Sequence, residues 1–192
     1  MVVCKELVEA FNVTKNIGAD PQAFYGVLLL VLRDQGRVAI SKKLGLRERL
    51  VRRILSTVRE KPALLQYLKS FERTVLASER VKCTPVVYRG VAREILAMVK
   101  ERIIDLRDYI VIYSRNPGKF EVVGVIEDGK LEYPGLPREI SEPYISLKTI
   151  ANTDAGLLVC WKSYTEVVDE ALLLSALTSL CVNHMSARQS TH

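Results

Sequence analysis

Histidine is close to absent from this chain: of 192 residues, only His184 and His192 carry an imidazole. A Ser-His-Asp or Cys-His pair needs a histidine as its base, so nucleophilic hydrolase chemistry has little to be built from. Cysteine is sparse as well. Cys4, Cys83, Cys160 and Cys181 are scattered and form no CxxC pair, which argues against a zinc knuckle and a small disulfide framework. They read as buried thiols of a reducing cytoplasm, with disulfides the alternative in a hyperthermophile. Long apolar runs are missing. The longest, Val27 to Leu32, has six residues, far below the roughly 18 that a spanning helix needs. The start, MVVCKELVEAF, has early acidic residues and no long apolar stretch, so no secretory leader is expected. These absences lead to the expectation of a soluble, cytoplasmic chain with no membrane partner. GxGxxG, Walker A, HExxH and GxSxG are also missing, as are internal repeats and low-complexity tracts.

What is present is ordinary globular composition with a basic excess. Apolar residues make up 48% and charged residues 26%, with 28 Lys+Arg against 22 Asp+Glu, a net charge of +6. The excess is unevenly placed. Met1 to Ile104 holds 20 basic and 10 acidic residues, whereas Asp105 to His192 holds 8 and 12. A basic half joined to an acidic half suggests one part that meets a polyanion and one that does not. The alternative is a heat-adapted surface rich in ion pairs, with which nine Asn+Gln and an excess of Arg over Lys are compatible.

The basic half reads as a series of helices. Val3, Leu7, Val8 and Phe11 have the spacing of a short amphipathic helix over about 3–14. Asp20-Pro21 is a helix start, with Asp20 as N-cap and Pro21 at the first position. The helix that follows is apolar nearly all round and should be central and buried, ending at Gly36. Ile40 to Leu44 can make a short helix closed by Gly45. After that turn, Leu50, Val51, Ile54, Leu55 and Val58 share one helical face, with Arg49, Arg52, Arg53, Ser56 and Arg59 on the other. A short helix, a glycine turn that can take positive φ, and a second helix with a basic outer face form a helix-turn-helix pattern.

Through Leu44-Gly45-Leu46, Val51 and Arg52-Arg53, the chain resembles the winged helix-turn-helix domains of bacterial and archaeal transcription regulators. The resemblance covers roughly residues 21–104. It implies a β-hairpin wing after the recognition helix. Thr74 to Ser78 and Val81 to Val87, around Glu79-Arg80, would supply it, and VAREILAMVKERI would be the following helix. Three features depart from the pattern: the stretch from Gly36 to Gly45 is shorter than usual, Arg47 stands at the cap of the recognition helix, and Lys61 to Arg73 adds a helix before the wing. The implied partner is double-stranded DNA. The implied contacts are Lys42, Lys43, Arg47, Arg49, Arg52, Arg53, Ser56 and Arg59 on the helix pair, with Arg80 and Lys82 on the wing.

Beyond Ile104 the signals are mixed. Asp105 to Asp108 reads as a charged junction and Tyr109 to Tyr113 (YIVIY) as a buried strand. Phe120 to Ile126 and Lys130 to Tyr133 flank Asp128-Gly129, the turn dipeptide of a two-residue hairpin. Pro134, Pro137 and Pro143 mark a loop, Leu157 to Trp161 a strand, and Thr165 to Val182 a long helix. The expected fold class is therefore α+β: a winged helix-turn-helix domain over 1–104, followed by a small mixed α/β domain over 108–192.

Other chemistry is weaker. Cys181 and His184 could place two metal ligands, though core packing explains them more simply. Asp105 and Asp108 could pair as acid and base, or simply be solvated. Trp161, Tyr133 and Tyr144 could line a small-molecule pocket, or fill a small core. No catalytic residue, metal or cofactor is expected. The leading expectation is a dimeric DNA-binding transcription regulator whose second domain senses a small effector or makes the dimer. Its alternatives are a winged-helix protein-interaction module of a nucleic-acid machinery, and an enzyme acting on nucleic acid or a metabolite.

Overall fold

The computed structural model describes residues 4–147 and 151–189. The chain folds into two compact units, but not at the boundary expected near 104–108. One unit combines residues 1–69 with 165–192; the other is residues 70–164, inserted between them in the chain. The expected junction at Asp105 to Asp108 lies inside a helix, Ile103–Ser114. The charge follows the observed division. The first unit holds 14 basic and 9 acidic residues, and the second 14 and 13, so the first carries +5 of the +6.

The first unit is all helix: α1 (Lys5–Ile17), α2 (Pro21–Val31), α3 (Arg37–Leu44), α4 (Glu48–Val58), α5 (Pro62–Ser70) and, from the far end of the chain, α9 (Val168–Gln189). Asp20 caps α2, its Oδ1 accepting from the amides of Gln22 and Ala23. As its composition predicts, α2 is buried on every side from Phe24 to Leu30. It packs against α9, whose Leu172, Leu173, Leu174, Leu177 and Leu180 are equally enclosed. The Tyr25 hydroxyl and Thr178 Oγ1 share a buried hydrogen bond of 2.5 Å. Arg33 pairs with buried Glu170 and, at 3.0 Å, with Glu166 at the start of α9. Gly36 does not end α2; it precedes α3 as its N-cap. The apolar surface of α2 and α9 is thus absorbed within one unit.

The second unit is a five-stranded antiparallel sheet with helices. Its strands are β1 (Arg73–Val75), β2 (Thr84–Tyr88), β3 (Phe120–Glu127), β4 (Lys130–Glu132) and β5 (Ala155–Trp161), in the order β1-β2-β5-β3-β4. The Asp128-Gly129 hairpin is present, with both turn residues at positive φ. Pairing alternates side chains between two faces. Val87, Leu158, Cys160, Val122 and Ile126 share one face with Tyr133 and Leu147. Tyr88, Val159 and Trp161 point to the other, where Trp161 Nε1 donates to the Tyr88 hydroxyl at 2.9 Å. Gly90, at φ 74°, follows β2 at the open end of the β1–β2 pair, where a Cβ would lie 1.7 Å from the Ser70 carbonyl oxygen. The remaining helices are α6 (Arg93–Glu101), α7 (Ile103–Ser114) and α8 (Arg138–Ile145).

Three expectations fail here. YIVIY is helical, within α7. Ile103, Leu106 and Ile110 are buried at helical spacing with Asp105 and Asp108 between them, a period that a five-residue window hides. The proline stretch is not all loop: Pro137 caps α8, and Pro143 sits within it. The cysteines are not free thiols. Cys4 bonds Cys181 in the helical unit, and Cys83 bonds Cys160 in the sheet unit. Spacing in sequence hides both bridges, because each partner arrives through tertiary packing.

Candidate nucleic-acid interface

The helix pair forms where the sequence places it. Gly45 adopts φ 63°, ψ 26°, ending α3 through bonds from its amide to the last carbonyls. No atom lies within 4 Å of a Cβ built there, so backbone conformation alone is what glycine supplies. The Ser41 hydroxyl donates to the Leu46 carbonyl at 2.5 Å and braces the turn. Leu44 lies against bare backbone at Gly26 of α2, where a Cβ would stand 3.2 Å from it. α4 then buries Val51, Ile54 and Val58 completely or nearly so, each worth about 1.5–3 kcal/mol of transfer free energy. That anchoring decides which side of α4 faces outward.

At 100° per residue, Arg49 and Ser56 lie opposite Val51, Ile54 and Val58, with Arg52 and the C-cap Arg59 to one side. All four are exposed, as are Arg47, Lys42 and Lys43 around the turn. None of these six cations has a carboxylate within ion-pair distance among the described residues. The pair that joins α3 to α4, Arg37 with Glu48 at 3.6 Å, uses neither set. The result is a strip of unneutralised guanidinium and ammonium groups on a rigid helix. Arg53 differs. It is exposed, yet its Nη1 donates to the Ile17 carbonyl at 2.8 Å, fastening α4 to the end of α1. The Ser56 hydroxyl donates back to the Arg53 carbonyl at 2.9 Å.

The wing is where the expected picture departs. β1 and β2 do form a hairpin, with Thr74 opposite Val87 and Val75 opposite Val86. β2 also pairs along its length with β5, so the hairpin is one edge of the five-stranded sheet and belongs to the second unit. These strands do not confirm a winged helix-turn-helix arrangement. Arg80 and Lys82 are exposed on the loop between them, in a different unit from α4. The sequence pattern carries no sign of this, because the partner strand β5 lies some 70 residues further on.

The other candidate groups are not assembled into sites. Trp161 lies on the opposite sheet face from Tyr133, which donates to the Tyr144 carbonyl at 2.9 Å. Burial pushes the Tyr133 phenol above its usual range. Asp105 is held by Arg102 at 2.7 Å. Cys181 is bridged to Cys4, and no cluster of three metal-ligating side chains occurs among the described residues. No described helix is long and apolar enough to cross a membrane.

Two open clefts lie in the helical unit. A groove of about 450 Å³ runs between α1, α4 and α9, lined by Val8, Asn12, Thr57 and Met185, with Lys61 paired to Glu9 at 2.9 Å on its wall. The hydrogen bond from Lys61 to Glu9, and then that carboxylate's charge, hold the ammonium above the usual lysine range. A smaller cleft of about 220 Å³ lies beside the Gly45 turn. No protein-family model, curated protein or solved structure matches the chain.

Proposed function

We propose that this protein binds double-stranded DNA through the outer face of α4 and acts as a transcription regulator. The observation that carries the reading is the exposed, unpaired row Arg49, Arg52 and Arg59 on a helix fixed by its apolar side and by the left-handed Gly45 turn. Arginine can grip guanine O6 and N7 with two bonds or neutralise a phosphate, and a helix is the element a major groove admits. Lys42, Lys43 and Arg47 add phosphate contacts around the turn. The concentration of +5 in the helical unit supports the same assignment. Arg53 acts as a brace for α4 in this reading.

The active form is a dimer. One small module buries only ~600–1,000 Å² on DNA, too little for tight specific binding by itself. The near-neutral sheet unit is assigned to assembly or sensing. Selection of bound duplexes from a random pool by the intact protein tests the reading. An enriched motif with two related half-sites is the expected result. If no duplex is retained and Arg52→Ala changes nothing, α4 serves a protein partner instead.

A further inference from the structure

We infer that the outer face of α7 is a self-association surface, and that its partner is the same face of a second copy of this chain, packed antiparallel across a two-fold axis. α7 buries Ile103, Leu106 and Ile110 at helical spacing. At 100° per residue, Ile104, Asp108 and Ile112 form the ridge opposite them, one turn apart. Ile104 is 64% and Ile112 63% exposed, the two highest values for large apolar side chains among the described residues. A single exposed apolar side chain is ordinary. Two on one ridge of one helix, with the partly exposed Val111 beside them, make a patch that calls for a partner.

Charge decides which partner. Asp108 sits between the two isoleucines, and Arg115 follows the last turn of α7 as its C-cap. Both are exposed, and neither has an ion-pair partner among the described residues. They stand two turns apart, ~10 Å along the helix axis. In an antiparallel pair centred between Val111 and Ile112, Asp108 faces Arg115 of the second copy and Arg115 faces its Asp108. Val111 and Ile112 of both chains then fill the space between the two ion pairs. Competing arrangements carry a penalty. Centring the pair on Asp108, which sets Ile104 against Ile112, brings the two carboxylates together. A parallel pair sets Asp108 on Asp108 and Arg115 on Arg115, and like charges across an interface are unfavourable. A second copy supplies both charges in reverse order, which a uniformly acidic or basic partner does not, and that self-complementarity is what an isologous interface requires. This surface rests on the reading that the protein is a dimer, not on the assignment of α4 to DNA.

Sedimentation equilibrium of the intact protein without DNA, from about 5 to 300 μM, tests it. One helix face on another lies at the small end of specific interfaces, so a dimer with a dissociation constant at or below about 100 μM is expected. Asp108→Arg and Arg115→Asp each set two like-charge contacts across the axis and should weaken the dimer at least about tenfold. Both positions are exposed, and aspartate tolerates the positive φ of Arg115. Both variants should therefore melt within about 2 °C of the wild type. Mixed in equal amounts, the two variants should associate with each other to within about threefold of wild-type affinity. One copy then presents arginine at both positions and the other aspartate at both, so each contact is again an opposite pair. A loss of fold cannot produce that recovery. A dimeric wild type whose variants dimerise equally well, or do not recover on mixing, overturns the α7 surface alone. A wild type that is monomeric at about 300 μM overturns the surface and the dimer reading together, and leaves duplex binding by α4 to be judged by its own variants.

Discussion

Removing the Cys4–Cys181 bridge, by Cys4→Ala with Cys181→Ala, should destabilise the helical unit by an amount the topology sets. The two residues are 177 apart in sequence. The unfolded chain does not see a loop that long while Cys83–Cys160 is intact. Inside it, the path from 4 to 83 and from 160 to 181 is about 100 residues, for which loop-closure entropy gives ~4.7 kcal/mol. Bridges commonly return somewhat less than this, so about 3–5 kcal/mol is expected. For a chain of this length each kcal/mol moves the melting temperature by about 2–4 °C, so the fall should be about 6–20 °C. Circular dichroism melts of both forms, without reductant, give the number. Alkylation of the wild type in denaturant without reductant should label no cysteine. Four labelled cysteines, or melts that agree within about 2 °C, would refute the claim that the bridge staples α1 to α9.

Three further outcomes follow from single contacts. Gly90→Ala places a Cβ on the Ser70 carbonyl and forces an alanine to positive φ; it should cost at least about 2 kcal/mol by denaturant unfolding. Gly45→Ala meets no atom, so its cost should stay near the conformational ~1 kcal/mol, with duplex binding weakened through the tilt of α4. Arg33→Ala leaves the carboxylate of Glu170 buried without its guanidinium. It should lose about 2–4 kcal/mol, more than Arg33→Ala with Glu170→Gln.

Much of the helical unit was legible because its signals are local. Asp20-Pro21, the all-apolar run to Leu32, Leu44-Gly45-Leu46 and the Val51, Ile54, Val58 face each act within one or two turns, and each appears where its chemistry puts it. What sequence could not show is non-local. α9 returns from residue 168 to complete the unit that α1 begins, so a fragment ending at 104 would lack the core residues of α9 and the cysteine that Cys4 bonds. The β1–β2 hairpin reads as a wing until β5 pairs with β2. YIVIY reads as a strand because five apolar residues have no visible period. The cationic face of α4 was legible residue by residue, whereas the Arg53–Ile17 tie depends on where α1 ends.

Duplex binding as a function of salt tests the central claim most directly. Anisotropy of a labelled duplex is measured with the intact protein and with Arg49→Ala, Arg52→Ala, Arg59→Ala combined, from about 50 to 300 mM KCl. All three side chains are exposed and without ion-pair partners among the described residues, so the variant should melt within about 2 °C of the wild type. If the α4 face holds phosphates and bases, the wild type binds with a steep salt slope. The variant binds weakly, its slope shallower by about 2–3 units, near 0.9 for each phosphate no longer neutralised. A wild type that does not bind at about 50 mM, or a folded variant with the same slope, contradicts the assignment of α4 to DNA.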